Sequence, residues 1–393
     1  MMFPPPVGGI IPLPAKRGKM EQTFDVVVIG AGIAGASVAA FLSEHCRVAL
    51  LEAEEAAGYH TTGRSAALWT ANYGPRDVRL LTQLSRAFFE TPPEGFTAVP
   101  LLRRRPVLFL AQAHQLPDLE QAVAEGTGLR RVTVAEAKTM LPPLRDGFAA
   151  GAAVEDDAFD LDVSAIHQGF LRQLGNRNGI LALRNRAGRI TRASGAWQVE
   201  TSSGAVFHAG VVVNAAGAWG DDVAEIAGAA PIGLLPKRRT AAIIDPSPWD
   251  AEHWPMILDV SEDWYARPEA RTRLMVSPAD ETLTYPHDVQ PEEIDIATGI
   301  DRMQRALAIE VRRVEHSWAG LRTFTPDGSL AFGWDHGQEG FFWCVGQGGY
   351  GIQTSPAAGR LAADLVLGRS PGIAAPAVEA IDPQRFQGAT PAA

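Results

Sequence analysis

The chain has 393 residues, more than one hydrophobic core usually supports, which points to two interlocked domains. Its 46% hydrophobic and 20% charged content excludes a disordered polymer, and no apolar run approaches the length of a membrane span. A net charge of −10 argues against nucleic acid as a partner, because phosphate binding needs a concentrated basic face.

The first segment, residues 1–19, is rich in Pro and Gly and is expected to form a disordered leader, with Met20 as the natural start. The stretch FDVVVIGAGIAGASVAAFLSEHCRVALLEAEE then predicts a buried strand over 24–29, a helix over Ile33–His45 and a second strand over Arg47–Leu51. Between the first strand and the helix stand Gly30, Gly32 and Gly35. They allow a tight turn, close approach of a pyrophosphate to the backbone, and tight helix-on-strand packing. The first helical amides, around Ile33 and Ala34, then face a diphosphate. Glu52, followed by Ala53, stands where an acid can hydrogen-bond a ribose hydroxyl. Strand, glycines, helix, strand and acid in this order predict dinucleotide binding, without choosing between NAD and FAD.

The next stretch, GYHTTGRSAALWTANYG at 58–74, replaces the further strand–helix unit expected of an NAD domain. Thr61, Thr62, Ser65, Ala66 and Ala67 are small enough to lie along a flavin and its ribityl chain, with hydroxyls for phosphate and ribityl oxygens. Arg64 is expected to offset diphosphate charge. FAD is therefore the expected cofactor. The basic runs RRR at 103–105 and KRR at 237–239 read as solvated faces. DVSAIHQGFLRQL at 162–174 predicts a helix capped by Asp162. GVVVNAAGAWGDD predicts a buried strand, small residues and a helix start, a second close approach to the cofactor around Ala215, Gly217 and Trp219. Strands are expected near Arg239–Ile244 and Trp264–Arg267, and apolar spacing predicts a helix over Ile300–Arg313. GFFWCVGQGGYGIQTS repeats the strand–glycine–helix pattern, with Gly346, Gly348, Gly349 and Gly351 letting the backbone crowd a ligand. The two cysteines, Cys46 and Cys344, give no disulfide framework and no metal set, and read as buried thiols in a reducing, cytoplasmic setting.

In this order the segments resemble the D-amino-acid oxidase superfamily of FAD enzymes, most closely its bacterial D-arginine dehydrogenase type. The similarity runs from about Phe24 to near Leu367. It rests on GAGIAGAS, GYHTTGRSAA, FDLDVSAIHQGFLR, VVVNAAGAW, PKRR, HDVQPEEIDIATG, HSWAGLRTF and GFFWCVGQGGYGIQTS. The resemblance implies an α/β fold, with a Rossmann-type FAD-binding domain interleaved with an α+β substrate domain. It implies oxidative deamination of D-amino acids to imino acids, then 2-oxo acids and ammonia, by hydride transfer to flavin N5. Arg322 in WAGLRTF matches the family's carboxylate-binding arginine, and Arg239 a second active-site arginine. Tyr265 in DWYARP matches a tyrosine that covers the substrate, and Tyr73 in TANYG one on a mobile loop. Gly349 is expected to place its carbonyl near the substrate amine. Gly348, Gly349, Tyr350, Gly351, Ile352 and Gln353 are expected at the flavin, where the helix they open would face the pyrimidine ring. His167 and His316 read as structural.

Two departures from the arginine-selective pattern bear on the substrate. Leu68 stands where that type has a histidine and Val107 where it has a glutamate, so these residues, with Thr70, are expected to shape a pocket for neutral or apolar side chains. The rival readings are an amino acid oxidase using O2, of the glycine or sarcosine oxidase kind, and a flavin-dependent 2-hydroxy acid dehydrogenase. The expected electron acceptor is a quinone or another carrier, which brings in peripheral contact with the inner membrane face. The expected division is a flavin domain over 20–104, 152–232 and 320–380, a substrate domain over 105–151 and 233–319, and a tail over 381–393.

Overall fold

The computed structural model describes residues 21–386. The expected leader, the start at Met20 and residues 387–393 of the expected tail lie outside them.

The valine run at 26–29 is buried throughout because it forms a central strand. A six-stranded sheet runs in the order Gly179–Ala182, Val48–Leu51, Val26–Ile29, Val211–Asn214, Phe341–Val345 and Ala331–Trp334. The first five strands are parallel and the last is antiparallel. Side chains alternate between its faces. Val26 and Val28 join a core beneath the helices Ile33–Leu42, Val163–Gly175 and Gly351–Val366. Val27 and Ile29 face a second core with Trp197 and Phe207, supplied by a four-stranded sheet on the other side. Asp162 caps the helix Val163–Gly175, its carboxylate accepting the Ala165 N–H at 2.8 Å.

A nine-stranded sheet forms the second layer, built around the long antiparallel pair Leu235–Ile244 and Val314–Phe324. The helix expected over Ile300–Arg313 instead spans Glu293–Ala306. Beyond it the chain extends: Leu307 and Ile309 are buried while Ala308 and Glu310 are exposed, a period of two that a helix cannot supply. The strands of the six-stranded sheet all come from the segments expected to form the flavin domain. Two boundaries differ: Gly151–Glu155 pairs with Val107–Ala111, and Val314–Phe324 pairs with Leu235–Ile244, so both belong to the nine-stranded sheet. The start of the expected tail is packed. Ile381 and Pro383 are buried, and Arg385 bonds Asp327 at 2.7 Å.

The basic runs are not wholly solvated. Arg103 and Arg104 face outward with large or partial exposure, but Arg105 is buried and bonds Asp160 at 2.9 Å and the Trp254 carbonyl at 2.6 Å. Arg238 is buried among Asp280, Glu292 and Asp295, where three carboxylates offset its desolvation.

Candidate active site

A cavity runs between the two sheets, and two helix starts open into it. Gly30, Gly32, Ile33 and Ala34 line it at the first helix, and Gly348, Gly349, Gly351 and Ile352 at the second. The first glycine turn is fixed by contact. Gly30 has φ +102°, and a Cβ there would stand 2.4 Å from the Ala215 carbonyl oxygen. A Cβ on Gly35 would stand 1.8 Å from the Gly30 oxygen, so Gly35 serves packing and lies outside the lining. The first amides of a helix have no partner within it. The Ile33 N–H is taken by the Thr62 hydroxyl at 2.9 Å, while Gly32 and Ala34 line the cavity and their amides have no partner among the described residues. An anionic diphosphate fits that unpaired, positive helix end.

Beside the turn, Glu52 lines the cavity with Ala53, its carboxylate accepting from the Ala31 and Glu54 amides at 3.0 Å each. Thr61, Thr62, Ser65 and Ala66 line the same wall, as do Ala215, Gly217 and Trp219. Arg64 borders the cavity too, but its guanidinium faces away. It donates to the carbonyls of Val289 at 3.1 Å and Ala319 at 3.0 Å and pairs with Asp288. It therefore ties the 58–66 segment to the nine-stranded sheet and does not offset diphosphate charge.

At the far end the pairing of Leu235–Ile244 with Val314–Phe324 sets the reactive face. Trp318 lies opposite Ala241, and Gly320 opposite Arg239, and the register places Arg322 on the same face. All five line the cavity, with Tyr265 beside them. Arg322 Nη1 donates to the Tyr73 hydroxyl at 2.9 Å. A Cβ on Gly349 would stand 2.5 Å from that hydroxyl and 3.1 Å from Nη1, so only glycine fits there. Arg239 donates to the Asp280 carbonyl at 2.8 Å and to Glu281 at 3.1 Å, and lies 5.9 Å from the centre of the Tyr265 ring. It also borders a second cavity lined by Asp118, Glu125, Glu262 and Glu281.

Burial works to raise the Tyr265 phenol, but Arg322 and Arg239, together with a hydrogen bond with Ser277, outweigh it and hold it below the ordinary tyrosine value. For Tyr73 burial wins over the same two cations, and the phenol is pushed up. Burial also opposes the Arg322 charge, yet its neighbours Tyr73, Tyr265, Glu262 and Glu281 prevail and keep it protonated. The chemistry this permits is retention of a carboxylate by a permanent cation with two phenols beside it.

The expected substrate-pocket residues are not in the lining. Leu68 pairs with Asp160 in a small three-stranded sheet. The Thr70 hydroxyl is taken by Glu155 at 2.6 Å. Val107 is buried between Glu155 and Met256 in the nine-stranded sheet. Among the residues expected at the cofactor, Ala67 turns its carbonyl to Leu161, Tyr350 packs against Tyr73, and Gln353 bonds the Thr82 hydroxyl at 2.9 Å. Conversely, Asn185, Arg186, Ala187 and Gly188 line the cavity unforeseen, brought to Glu52 by the Asn185 N–H, which donates to its carbonyl at 2.7 Å. Nothing in NRAG signals this; only the sheet pairing does.

A doubly wound sheet and a glycine turn facing a cavity that Arg322 also lines are the arrangement of a dinucleotide-binding protein. The sequence matches the family described as "DAO: FAD dependent oxidoreductase" over residues 25–365, and the chain belongs to that family. Its cofactor is FAD, and the protein is an FAD-dependent oxidoreductase. It is 29% identical over 175 residues to FAD-dependent oxidoreductase domain-containing protein 1 of Xenopus laevis, an alignment covering 40% of this chain and 34% of that protein. Glycine oxidase from Geobacillus kaustophilus has a similar structure, with a TM-score of 0.77 at 22% identity over 88% of this chain and 95% of that one. L-Proline dehydrogenase from P. horikoshii superposes with a TM-score of 0.80 at 19% identity over 94% and 99% of the two chains. The fold is thus the FAD-binding α/β fold of this superfamily.

Proposed function

We propose that the protein is a D-amino acid dehydrogenase of the D-arginine dehydrogenase type, with a preference for neutral or apolar side chains over D-arginine. One observation carries the reading: Arg322, bonded to Tyr73 and packed at Gly349, stands at the far end of the FAD cavity with Tyr265 beside it. A planar guanidinium is the side chain best suited to grip an amino acid carboxylate. Bound FAD would supply the two-electron acceptor for a hydride leaving the substrate Cα.

The protein's own residues fix the substrate for that step. Arg322 and the Tyr265 hydroxyl hold the carboxylate, Tyr73 keeps Arg322 oriented, and the Gly349 carbonyl accepts a hydrogen bond from the amine, whose departing proton goes to water. Loss of the Cα hydride and of one amine proton leaves a C=N bond, and water then converts the imine to a 2-oxo acid and ammonia. Support for an apolar side-chain pocket comes from residues other than Leu68 and Val107. Ala241, Tyr265 and Met275 form an apolar cluster flanked by Ala66, Met256, Leu258 and Trp318. The carboxylates nearest in charge to Arg322, Glu262 and Glu281, border the second cavity instead.

The acceptor in this reading is a quinone or another carrier, met at the inner face of a membrane by peripheral contact in the cytoplasm. No helix among the described residues is long and apolar enough to cross a membrane. The test is product analysis with an artificial electron acceptor. Ammonia from D-methionine or D-leucine, and none of the 2-oxo acid from the matching 2-hydroxy acids, is expected. Equal turnover of hydroxy acids sinks the assignment.

A further inference from the structure

Tyr73 stands at the end of a three-residue strap, residues 70–72, and that strap is held by one buried carboxylate. Glu155 ends the strand Gly151–Glu155 and is 1% exposed. Its Oε2 accepts the Thr70 hydroxyl at 2.6 Å and Asn72 Nδ2 at 2.9 Å, and its Oε1 accepts the Ala71 N–H at 2.8 Å. Asn72 reaches further, its Nδ2 donating to the Thr127 carbonyl at 3.0 Å and its Oδ1 accepting the Thr127 N–H at 2.7 Å. Every residue immediately before Tyr73 is thus tied down from one side.

The pattern is unusual for packing alone. Glu155 receives three donors, all uncharged, and the charge it feels is that of the like-signed Asp157. Burial raises its pKa, and the three hydrogen bonds work against that rise. A buried carboxylate without a cation is costly, and an apolar side chain of similar size would serve stability as well. What an apolar side chain cannot do is fix three consecutive donors in one geometry. Neither Thr70 nor Glu155 lines the FAD cavity, so the carboxylate touches neither cofactor nor substrate.

We propose that Glu155 is a positioning residue for catalysis: it holds the 70–72 strap so that the Tyr73 hydroxyl stays on Arg322 and against Gly349. This rests on Arg322 gripping the substrate carboxylate, as set out above. Releasing the strap lets Tyr73 leave, and Arg322 loses the partner that orients it.

The test uses the FAD-loaded protein and propionate, a carboxylate that cannot be oxidised here, whose binding is read from the flavin absorbance spectrum. Glu155→Gln keeps the volume but places an amide against donors. Asn72→Ala cuts the strap from its half-exposed end and serves if the buried variant fails to fold. Each is expected to weaken propionate binding and raise the amino acid KM by about tenfold with full flavin content. Combined with Tyr73→Phe, each is expected to add less than about twofold, because the interaction it protects is already gone. The proposal is overturned if both variants keep the original propionate affinity, or if their effects are undiminished beside Tyr73→Phe. Propionate binding needs no turnover. A protein that binds propionate but oxidises no amino acid loses the proposed activity and leaves this inference to be decided by the cycle. One that ignores propionate overturns the role given to Arg322, and Glu155 with it.

Discussion

Arg322, which lines the FAD cavity, and Tyr73, which stands behind that lining, form a bonded pair across 249 residues of sequence, with Nη1 and the phenol oxygen 2.9 Å apart. The bond uses one of the five N–H groups of the guanidinium and sets its plane, leaving donors for a carboxylate. Arg322→Lys keeps the charge but not the fork. It is expected to raise KM for the amino acid about 10- to 100-fold, from the roughly 1.5–3 kcal/mol of a charged hydrogen bond, with flavin content unchanged. Steady-state kinetics beside a flavin-to-protein absorbance ratio checks both halves.

Tyr265 gives the site a pH dependence whose sign follows from its neighbours. Burial raises its pKa, but Arg322, Arg239 and the hydrogen bond with Ser277 together outweigh burial and bring it below the ordinary value of about 10. The neutral phenol donates to a carboxylate, whereas the phenolate repels it. Propionate binding is therefore expected to weaken as pH rises, beginning below about pH 10, and Tyr265→Phe should remove that alkaline limb. A limb that survives in Tyr265→Phe belongs to another group.

The Gly30 turn permits no side chain. Its φ of +102° and the 2.4 Å approach of a Cβ to the Ala215 oxygen together mean that Gly30→Ala must displace the backbone at Ala215, just beyond the strand Val211–Asn214. The variant is expected to purify without bound FAD, or not to accumulate. Gly30→Ala protein with a full flavin spectrum would show that the turn is not where the diphosphate sits.

Arg64 and Asp288 offer a contrast between two roles for one arginine. Asp288→Asn weakens the tie that holds segment 58–66, so a lower melting temperature is expected, with FAD affinity unchanged or reduced. If Arg64 served the diphosphate directly, releasing it would tighten FAD binding. The Asp288 carboxyl is held down chiefly by its bond to Arg64, so its contribution is present above the unfolded value near 4 and is lost as pH falls below that. Asp288 is 45% exposed, so the effect is small.

The parts of the site that could be read from sequence are those fixed by local backbone demands. Gly30, Gly32 and Glu52 belong to one strand–turn–helix–strand unit, and their spacing carries the geometry by itself. Arg322 is singled out only through the resemblance that WAGLRTF carries, and the strand alternation that puts it on the face of Trp318 and Gly320 appears only in the structure. Arg64 was misread because its true partner, Asp288, is 224 residues away. Leu68 and Val107 match motif positions and Thr70 is expected beside them, but the Leu68 backbone pairs with Asp160, the Thr70 hydroxyl is taken by Glu155 and Val107 is buried in the nine-stranded sheet. Asn185–Gly188 could not be found from sequence at all, since that loop reaches Glu52 only through pairing of the parallel strands. The helix Glu293–Ala306 shows the limit of periodicity: the extended run after it alternates with a period of two, and its apolar residues were counted into the helix.

The most direct measurement is anaerobic titration of the purified yellow protein with single D- and L-amino acids, following flavin absorbance near 450 nm. Bleaching by D-methionine, D-leucine or D-phenylalanine at lower concentrations than by D-arginine, and none by the L-enantiomers, is the expected result. Flavin that stays oxidised with every D-amino acid, or that bleaches only with L-amino acids or 2-hydroxy acids, contradicts the account.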